Sequence, residues 1–330
     1  MGAGRWAVAL ARGFAGQGID VVLWEPDPSA LRNLLASRRH PDLPDSATIP
    51  AEVQVTGDLR AAISDSWLVV FATPSHALAQ SAREAAPHIS DVCVAVVTVT
   101  KGIDPESTER MSVVLGRTVP GRPVVVLAGP GIPYDYALGD PTSLVAASED
   151  STAAELIRDS FSSGNLRIYS SGDVIGVELG AALKNVVAIA AGIADGLELG
   201  LNARAALLTR GLAEMTRLGL AMNANPLTFA GLSGMGDLIV TAFSANSRNH
   251  NLGLYVAQGL DLKAASARLN GVAEGALTCR SARVLASRHR VEMPITEEVH
   301  GILYEGADPK QSLRRLLGRS PKPENSGVTK

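Results

Sequence analysis

Short runs of β-branched and aliphatic residues alternate with amphipathic stretches through the first half of the chain, and longer apolar helical patterns fill the second. The strand candidates are Val21–Trp24, Trp67–Ala72, Val92–Thr98, Val124–Ala128, Leu144–Ala147 and Leu166–Tyr169. Helical patterns at Ala30–Ser37, Leu78–Ala85, Glu106–Leu115 and Ala153–Phe161 lie between several of them. Apolar strands separated by helices imply a mostly parallel sheet covered on both faces, a Rossmann-type α/β layer. Near Gly172 the pattern changes. Val174–Ala194 and Asn202–Met222 read as long helices, followed by Gly-rich turns and further helices. The chain is therefore expected to hold an α/β domain over residues 1–172 and an all-α domain over 173–330. The tail after Leu317 is polar and is expected to be loose.

One position breaks the apolar pattern of the first long helix. From Leu179 to Ala194 the sequence is LGAALKNVVAIAAGIA, and Lys184 is its only charged group. Such a helix is buried on most of its circumference. A lysine within it must be paired, neutralised by a lowered pKa, or turned toward a cavity. Buried lysines of this kind serve as acid–base groups; the alternative is a side chain that reaches the surface at the helix edge.

Composition narrows the class. With 330 residues, 46% of them hydrophobic and 19% charged, the chain can bury a full core and is not disordered. A net charge of −3 gives no bulk attraction to nucleic acid or to a membrane surface. The two cysteines, Cys93 and Cys279, sit in apolar company without a metal or redox motif, which suits a reducing cytoplasm. The six histidines have no metal-ligand spacing, so no metal is expected. The long uncharged stretches are broken by Pro, Asn and Gly and do not read as membrane spans.

Residues 2–7 form the G-x-G-x-x-A version of the dinucleotide fingerprint. Gly2 permits the tight turn, Gly4 lets the backbone approach a pyrophosphate, and Ala7 keeps the helix close to the sheet. The phosphates then rest on the helix N-terminus, near Arg5 and Trp6. Glu25 follows the strand Val21–Trp24, about 20 residues after Gly4, where a carboxylate suits the ribose 2′-hydroxyl of NAD and repels the 2′-phosphate of NADP. NAD is the expected cofactor, with NADP as the alternative. The fingerprint should itself follow a central strand, yet only Met1 precedes Gly2. Loss of that strand would forfeit about five buried apolar side chains at roughly 1.5–3 kcal/mol each, comparable with a domain's whole stability of about 5–15 kcal/mol. The first strand thus reads as truncated, and an upstream extension of about six apolar residues is expected to recover stability and cofactor binding.

Nine blocks taken in order carry a resemblance. They are Gly2–Ala11 (GAGRWAVALA), Thr73–Ala77 (TPSHA), Val99–Gly102 (VTKG), Gly176–Val186 (GVELGAALKNV), Asn202–Gly211 (NARAALLTRG), Gly231–Leu238 (GLSGMGDL), Asn246–Asn249 (NSRN), Ala273–Gly275 (AEG) and Met293–Glu297 (MPITE). Together they resemble the bacterial NAD(P)-dependent glycerol-3-phosphate dehydrogenases over essentially all of the chain up to Gly318. The resemblance implies reversible reduction of dihydroxyacetone phosphate to sn-glycerol 3-phosphate, a precursor of glycerophospholipids, and leaves room for a homodimer. It makes Lys184 the acid–base group and Asp237 its acidic partner. For Asp237, which follows the turn Gly234–Gly236, the alternative is a helix cap.

The same resemblance suggests the binding residues. Asn185 would orient the substrate. Ser247, Arg248 and Asn249, ahead of a helix expected over Leu252–Leu260, would hold its phosphate, since helix-start amides and a guanidinium suit a dianion. Arg248 would also reach the cofactor. Lys101, at the carboxyl end of a strand, would touch substrate and cofactor, Gly129 the substrate, and Val272 and Glu274 the cofactor.

Two departures stand out. After Gly129-Pro130 the family usually has a hydroxyl residue, an aromatic or histidine, then alanine; here the run is Gly131-Ile132-Pro133, and Pro133 removes a backbone donor on the cofactor side. Arg5 replaces a small residue, and its charge would lie near the pyrophosphate or offset Glu25. Two other functions stay open: a related hydroxyacid dehydrogenase, and a non-catalytic nucleotide-binding paralogue. Retention of Lys184, Asp237 and Arg248 argues against the second.

Overall fold

The computed structural model describes residues 1–324 apart from 270 and 322. The expected looseness of the tail therefore lies, from residue 325 onward, outside the described residues. The chain divides into two compact units: Met1–Thr100 with Met111–Val174, and Lys101–Arg110 with the chain from Ile175 onward. Lys101, expected in the first domain, thus belongs to the second unit.

The first unit contains seven strands and seven α-helices among its described residues. Strands β1 (Val22–Trp24) and β2 (Gln54–Thr56) form a two-stranded parallel sheet. Strands β3 (Leu68–Phe71), β4 (Ala95–Thr98), β5 (Val124–Ala128), β6 (Thr142–Ala147) and β7 (Leu166–Ser171) form a five-stranded sheet in that order, parallel except between β5 and β6. Met1 lies beside β3: its amino group donates to Val70 O at 2.8 Å, and Ala72 N donates to Met1 O at 2.9 Å.

The helices are α1 (Arg5–Ala15), α2 (Pro28–Ser37), α3 (Leu59–Ile63), α4 (Ser75–Ala85), α5 (Met111–Thr118), α6 (Pro133–Leu138) and α7 (Ser151–Phe161). Strand residues alternate between two cores, as period-two geometry requires. Leu68, Val70, Ala95 and Val97 pack with α1 and α7, while Val69, Phe71 and Val96 pack with α4 and α5. The mostly parallel, two-sided layer is the α/β arrangement that the sequence predicts.

The helix expected over Glu106–Leu115 starts later, at Met111. Ahead of it, Asp104 captures both the amide and the hydroxyl of Ser107 at 2.7 Å, and Thr108 has φ +60°. This side-chain competition for backbone donors turns the segment away from a helix.

The second unit is helical: α8 (Val174–Gly196), α9 (Leu201–Ala221), α10 (Pro226–Phe229), a π turn at Leu232–Gly236, α11 (Asp237–Phe243), α12 (Arg248–Ala257), α13 (Leu262–Ala267), α14 (Glu274–His289), α15 (Pro294–Tyr304) and α16 (Pro309–Leu317). By length and composition α8 could cross a membrane, but 94% of its apolar window is buried in the protein, so it is a core helix. The run Pro226–Phe243 passes the same test with 39% buried, and the π turn interrupts it. Helix α12 begins at Arg248 rather than Leu252 because Ser247 caps it: its Oγ accepts from His250 N at 3.2 Å.

Candidate active site

In the first unit the fingerprint residues make a cradle built from backbone. Gly2 has φ +80°, and a Cβ there would lie 3.3 Å from Thr73 Cγ2. Gly4 is the N-cap of α1 in extended conformation, and no side chain caps the helix. Glu25 follows β1 and turns onto the fingerprint: its Oε2 accepts from Ala3 N at 3.2 Å, and its Oε1 accepts from Asp27 N at 3.0 Å. At the carboxyl end of β3 the buried Thr73 hydroxyl has no hydrogen-bond partner. An uncapped helix start, a carboxylate beside it and an orphaned hydroxyl fit a dinucleotide with anionic phosphates and ribose hydroxyls.

Other first-unit positions are shaped by packing. Arg5 is half-buried; burial lowers its pKa, and the acid that offsets its charge is Asp42 rather than Glu25. Trp6 meets Tyr136 edge-on, with ring centroids 5.6 Å apart. A Cβ at Gly131 would come within 2.9 Å of the Trp6 ring, which accounts for the missing hydroxyl residue there. Gly129 has φ +142°, and a Cβ would lie 2.9 Å from Ser143 O. Pro133 opens α6, where its lack of an N–H carries no cost.

In the second unit a buried charge cluster forms around Asp237. A Cβ at Gly180 of α8 would lie 2.8 Å from Ser233 O, so the π turn packs directly on α8. That approach sets Asp237, the first residue of α11, against Lys184. Asp237 Oδ1 is 2.9 Å from Lys184 Nζ, and Oδ2 is 2.7 Å from Lys101 Nζ. Gly234 makes room for the Phe229 backbone, whose O would be 2.1 Å from a Cβ there. One helical turn beyond Asp237, the Thr241 hydroxyl donates to Asp237 Oδ1 at 3.3 Å and accepts from Lys184 Nζ.

Lys184 is 4% exposed and Asp237 1%. Burial lowers the Lys184 pKa to about 8, with Asp237 opposing the shift and Lys101 adding to it. A lysine so poised can give or take a proton near neutral pH.

An amide chain continues from this cluster. Asn185 Nδ2 donates to Lys101 O and Ala181 O, each at 3.3 Å. Asn185 Oδ1 accepts from Asn249 Nδ2 at 2.9 Å, and Asn249 Oδ1 accepts from Gly275 N at 2.9 Å. Ser247 and Arg248 adjoin Asn249 at the start of α12. The Arg248 guanidinium lies over Gly271, where a Cβ would be 2.5 Å from Nη1. Val272 follows that glycine, and Glu274 opens α14.

Direct bonds thus unite Lys101, Lys184, Asn185, Asp237 and Asn249, while Gly2, Gly4, Arg5, Trp6, Glu25, Gly129 and Pro133 lie in the first unit. Sequence reasoning missed Thr241 and Thr73. The signal for Thr241 was its i+4 spacing from Asp237, which stacks the two on one helix face. Thr73 sits at a strand's carboxyl end.

Known proteins resemble the chain over most of its length. Residues 1–154 match the family described as NAD-dependent glycerol-3-phosphate dehydrogenase N-terminus, and residues 173–314 match the corresponding C-terminus. A glycerol-3-phosphate dehydrogenase (NAD(P)+) of Pelotomaculum thermopropionicum is 44% identical over 323 residues, 97% of this chain and 92% of the relative. One from Salinibacter ruber is 44% identical over 327 residues, 98% of this chain and 96% of the relative. The crystal structure of glycerol-3-phosphate dehydrogenase from Coxiella burnetii superposes with a TM-score of 0.92 at 34% identity, covering 96% of this chain and 97% of that one.

Proposed function

The chain belongs to the NAD-dependent glycerol-3-phosphate dehydrogenase family, and from that premise we propose that it works in the cytoplasm to reduce dihydroxyacetone phosphate to sn-glycerol 3-phosphate for glycerophospholipid synthesis. It is an NAD(P)-dependent oxidoreductase. The bound nicotinamide cofactor supplies the hydride that goes to C2 of the substrate. Lys184 Nζ delivers the proton that the developing C2 alkoxide requires, and takes it back in the reverse direction. Asp237 holds Nζ at 2.9 Å and, through its other oxygen, Lys101 at 2.7 Å. Two cations around one buried carboxylate favour an anionic transition state. Asn185 orients the substrate hydroxyls, and Ser247, Arg248 and Asn249 hold the phosphate at the start of α12. Gly2, Gly4 and Glu25 of the first unit seat the cofactor, and the family resemblance assigns Val272 and Glu274 of the second to the cofactor as well.

The observation that carries this reading is the Lys101–Asp237–Lys184 cluster, buried and spanned by two ion pairs. Initial rates of NADH oxidation test it, with dihydroxyacetone phosphate against a 2-oxo acid of the same carbon number. A preference for the phosphate ester by at least about a hundred-fold in kcat/KM is expected from a charge-assisted phosphate site. Equal rates would make the protein a hydroxyacid dehydrogenase, and no turnover with either a nucleotide-binding paralogue.

A further inference from the structure

Helix α12 carries Ser247, Arg248 and Asn249, so whatever fixes its first turn fixes the phosphate site. It crosses α8 with the two backbones in contact. His250 O would lie 1.9 Å from a Cβ on Gly192, and Ile189 O would lie 2.0 Å from a Cβ on Gly253. Two polar ties flank this crossing. On one side Asn249 bonds to Asn185. On the other, His250 Nε2 is 2.9 Å from Asp195 Oδ2, near the end of α8. Asn185 and Asp195 stand about 15 Å apart along the helix, and their partners are consecutive residues of α12. The crossing is therefore pinned on both sides, which sets the rotation of α12 about its own axis.

Asp195 is itself held. As the penultimate residue of α8 it puts a negative charge at the negative end of the helix dipole, which calls for cationic partners. Arg204 of α9 meets Oδ1 at 2.9 Å, leaving Oδ2 for His250. Both carboxylate oxygens are thus committed, one to each neighbouring helix.

We propose that the Asp195–His250 pair is a positioning element for substrate phosphate binding: it holds the first turn of α12 so that Arg248 is presented to the phosphate. The proposal rests on the reading of Arg248 as the phosphate ligand. Neither Asp195 nor His250 touches substrate in this account; both act through the helix.

Steady-state kinetics of the full-length protein with glycerol 3-phosphate and NAD+ test it. Arg248→Ala is expected to raise the KM for glycerol 3-phosphate by about ten- to a hundred-fold. His250→Ala is expected to raise the same KM by about three- to thirty-fold, with kcat and the KM for NAD+ within about two-fold. Asp195→Asn should move the KM the same way. His250→Arg should restore most of the loss, because a guanidinium keeps the bond to Asp195. Asp195→Ala combined with His250→Ala should be no worse than the more damaging of the two alanine single variants, as expected of one shared interaction.

Should His250→Ala fail to fold, His250→Leu, which fills the space without a donor, replaces it, with a KM increase again expected. An unchanged KM in the folded His250 variant, beside a strong effect of Arg248→Ala, overturns the positioning role and leaves the phosphate reading intact. Equal losses in kcat and in both KM values, unrescued by arginine, overturn it as a merely structural role. An unchanged KM in Arg248→Ala removes the phosphate reading and this proposal with it.

Discussion

The two units differ in what they bury. Among the described residues, the polar side chains buried in the first unit are all hydroxyls: Thr73, Ser75, Ser81, Thr98, Thr142 and Ser148. The second unit buries five charged side chains, Asp104, Glu178, Lys184, Glu214 and Asp237, as well as Asn185 and Asn249. The first therefore offers a ligand its backbone, through positive-φ glycines and an uncapped helix start, whereas the second offers side chains whose charge is tuned by burial. Recognition of an invariant group such as a pyrophosphate needs only fixed N–H dipoles. Proton transfer needs a group that changes charge, which backbone cannot supply. The expected consequence is a difference in vulnerability: the first unit is sensitive to an added Cβ, the second to a changed charge.

The sharpest way to break that comparison is to remove the charge at the centre of the second unit. Lys184→Ala is expected to lower kcat by at least a hundred-fold, within the usual range of about 10²–10⁴ for a lost acid–base group. The fold should survive, because α8 is apolar around that position. In the wild-type enzyme, reduction needs protonated Lys184, so its rate should fall as pH rises through about 8, while oxidation should gain over the same interval. A variant that kept more than a tenth of wild-type kcat without added amine would remove Lys184 from the chemistry.

Legibility in the sequence followed the same division. Lys184 was visible because nothing else on α8 between Leu179 and Ala194 is charged. Glu214 was not, although it is 2% exposed, because α9 also carries Arg204, Arg210 and Arg217 and reads as a solvated face. Its burial comes from a contact about eighty residues away in sequence, and no local pattern reports such a contact. Strand β2 escaped because it is three residues long and only half-buried, without apolar alternation. The sequence pattern starts a helix at Glu106 rather than at Met111 because the turn ahead of Met111 is made by the Asp104 side chain rather than by glycine. The fingerprint and the order of strands and helices were legible because glycine spacing and hydrophobic period are local properties.

A smaller effect tests the first unit through the charge of one carboxylate. Glu25 is expected to give NADH the higher kcat/KM, by about ten-fold over NADPH, since a carboxylate at the adenosine ribose repels a 2′-phosphate. Glu25 also accepts from Ala3 N and Asp27 N, so Glu25→Gln keeps much of the loop while removing the charge. The preference should narrow in that variant. If the wild-type enzyme favoured NADPH, cofactor choice would have to lie with a group other than Glu25.

An effect of comparable size concerns stability, and it would show how far buried charge in the second unit reaches beyond the reaction. Glu214 accepts from Ile295 N at 2.6 Å, Thr296 N at 3.2 Å and Thr296 Oγ1 at 3.3 Å, so a carboxyl group of α9 caps α15. Burial pushes its pKa up to about 7, against the opposing pull of those hydrogen bonds and of Arg217. An unfolded glutamate titrates near 4.3. Between those values the folded state binds more protons than the unfolded one, so this group's contribution to stability declines as pH rises and is fully lost above about 7. In Glu214→Gln that decline is absent. Relative to wild type, the variant should therefore gain about 1–2 kcal/mol between pH 5.5 and pH 8, even if it is the less stable protein at the lower pH. Denaturant unfolding of both proteins at the two pH values measures the difference. Parallel shifts would mean that Glu214 keeps its charge on folding and that the cap is an ordinary ionised carboxylate.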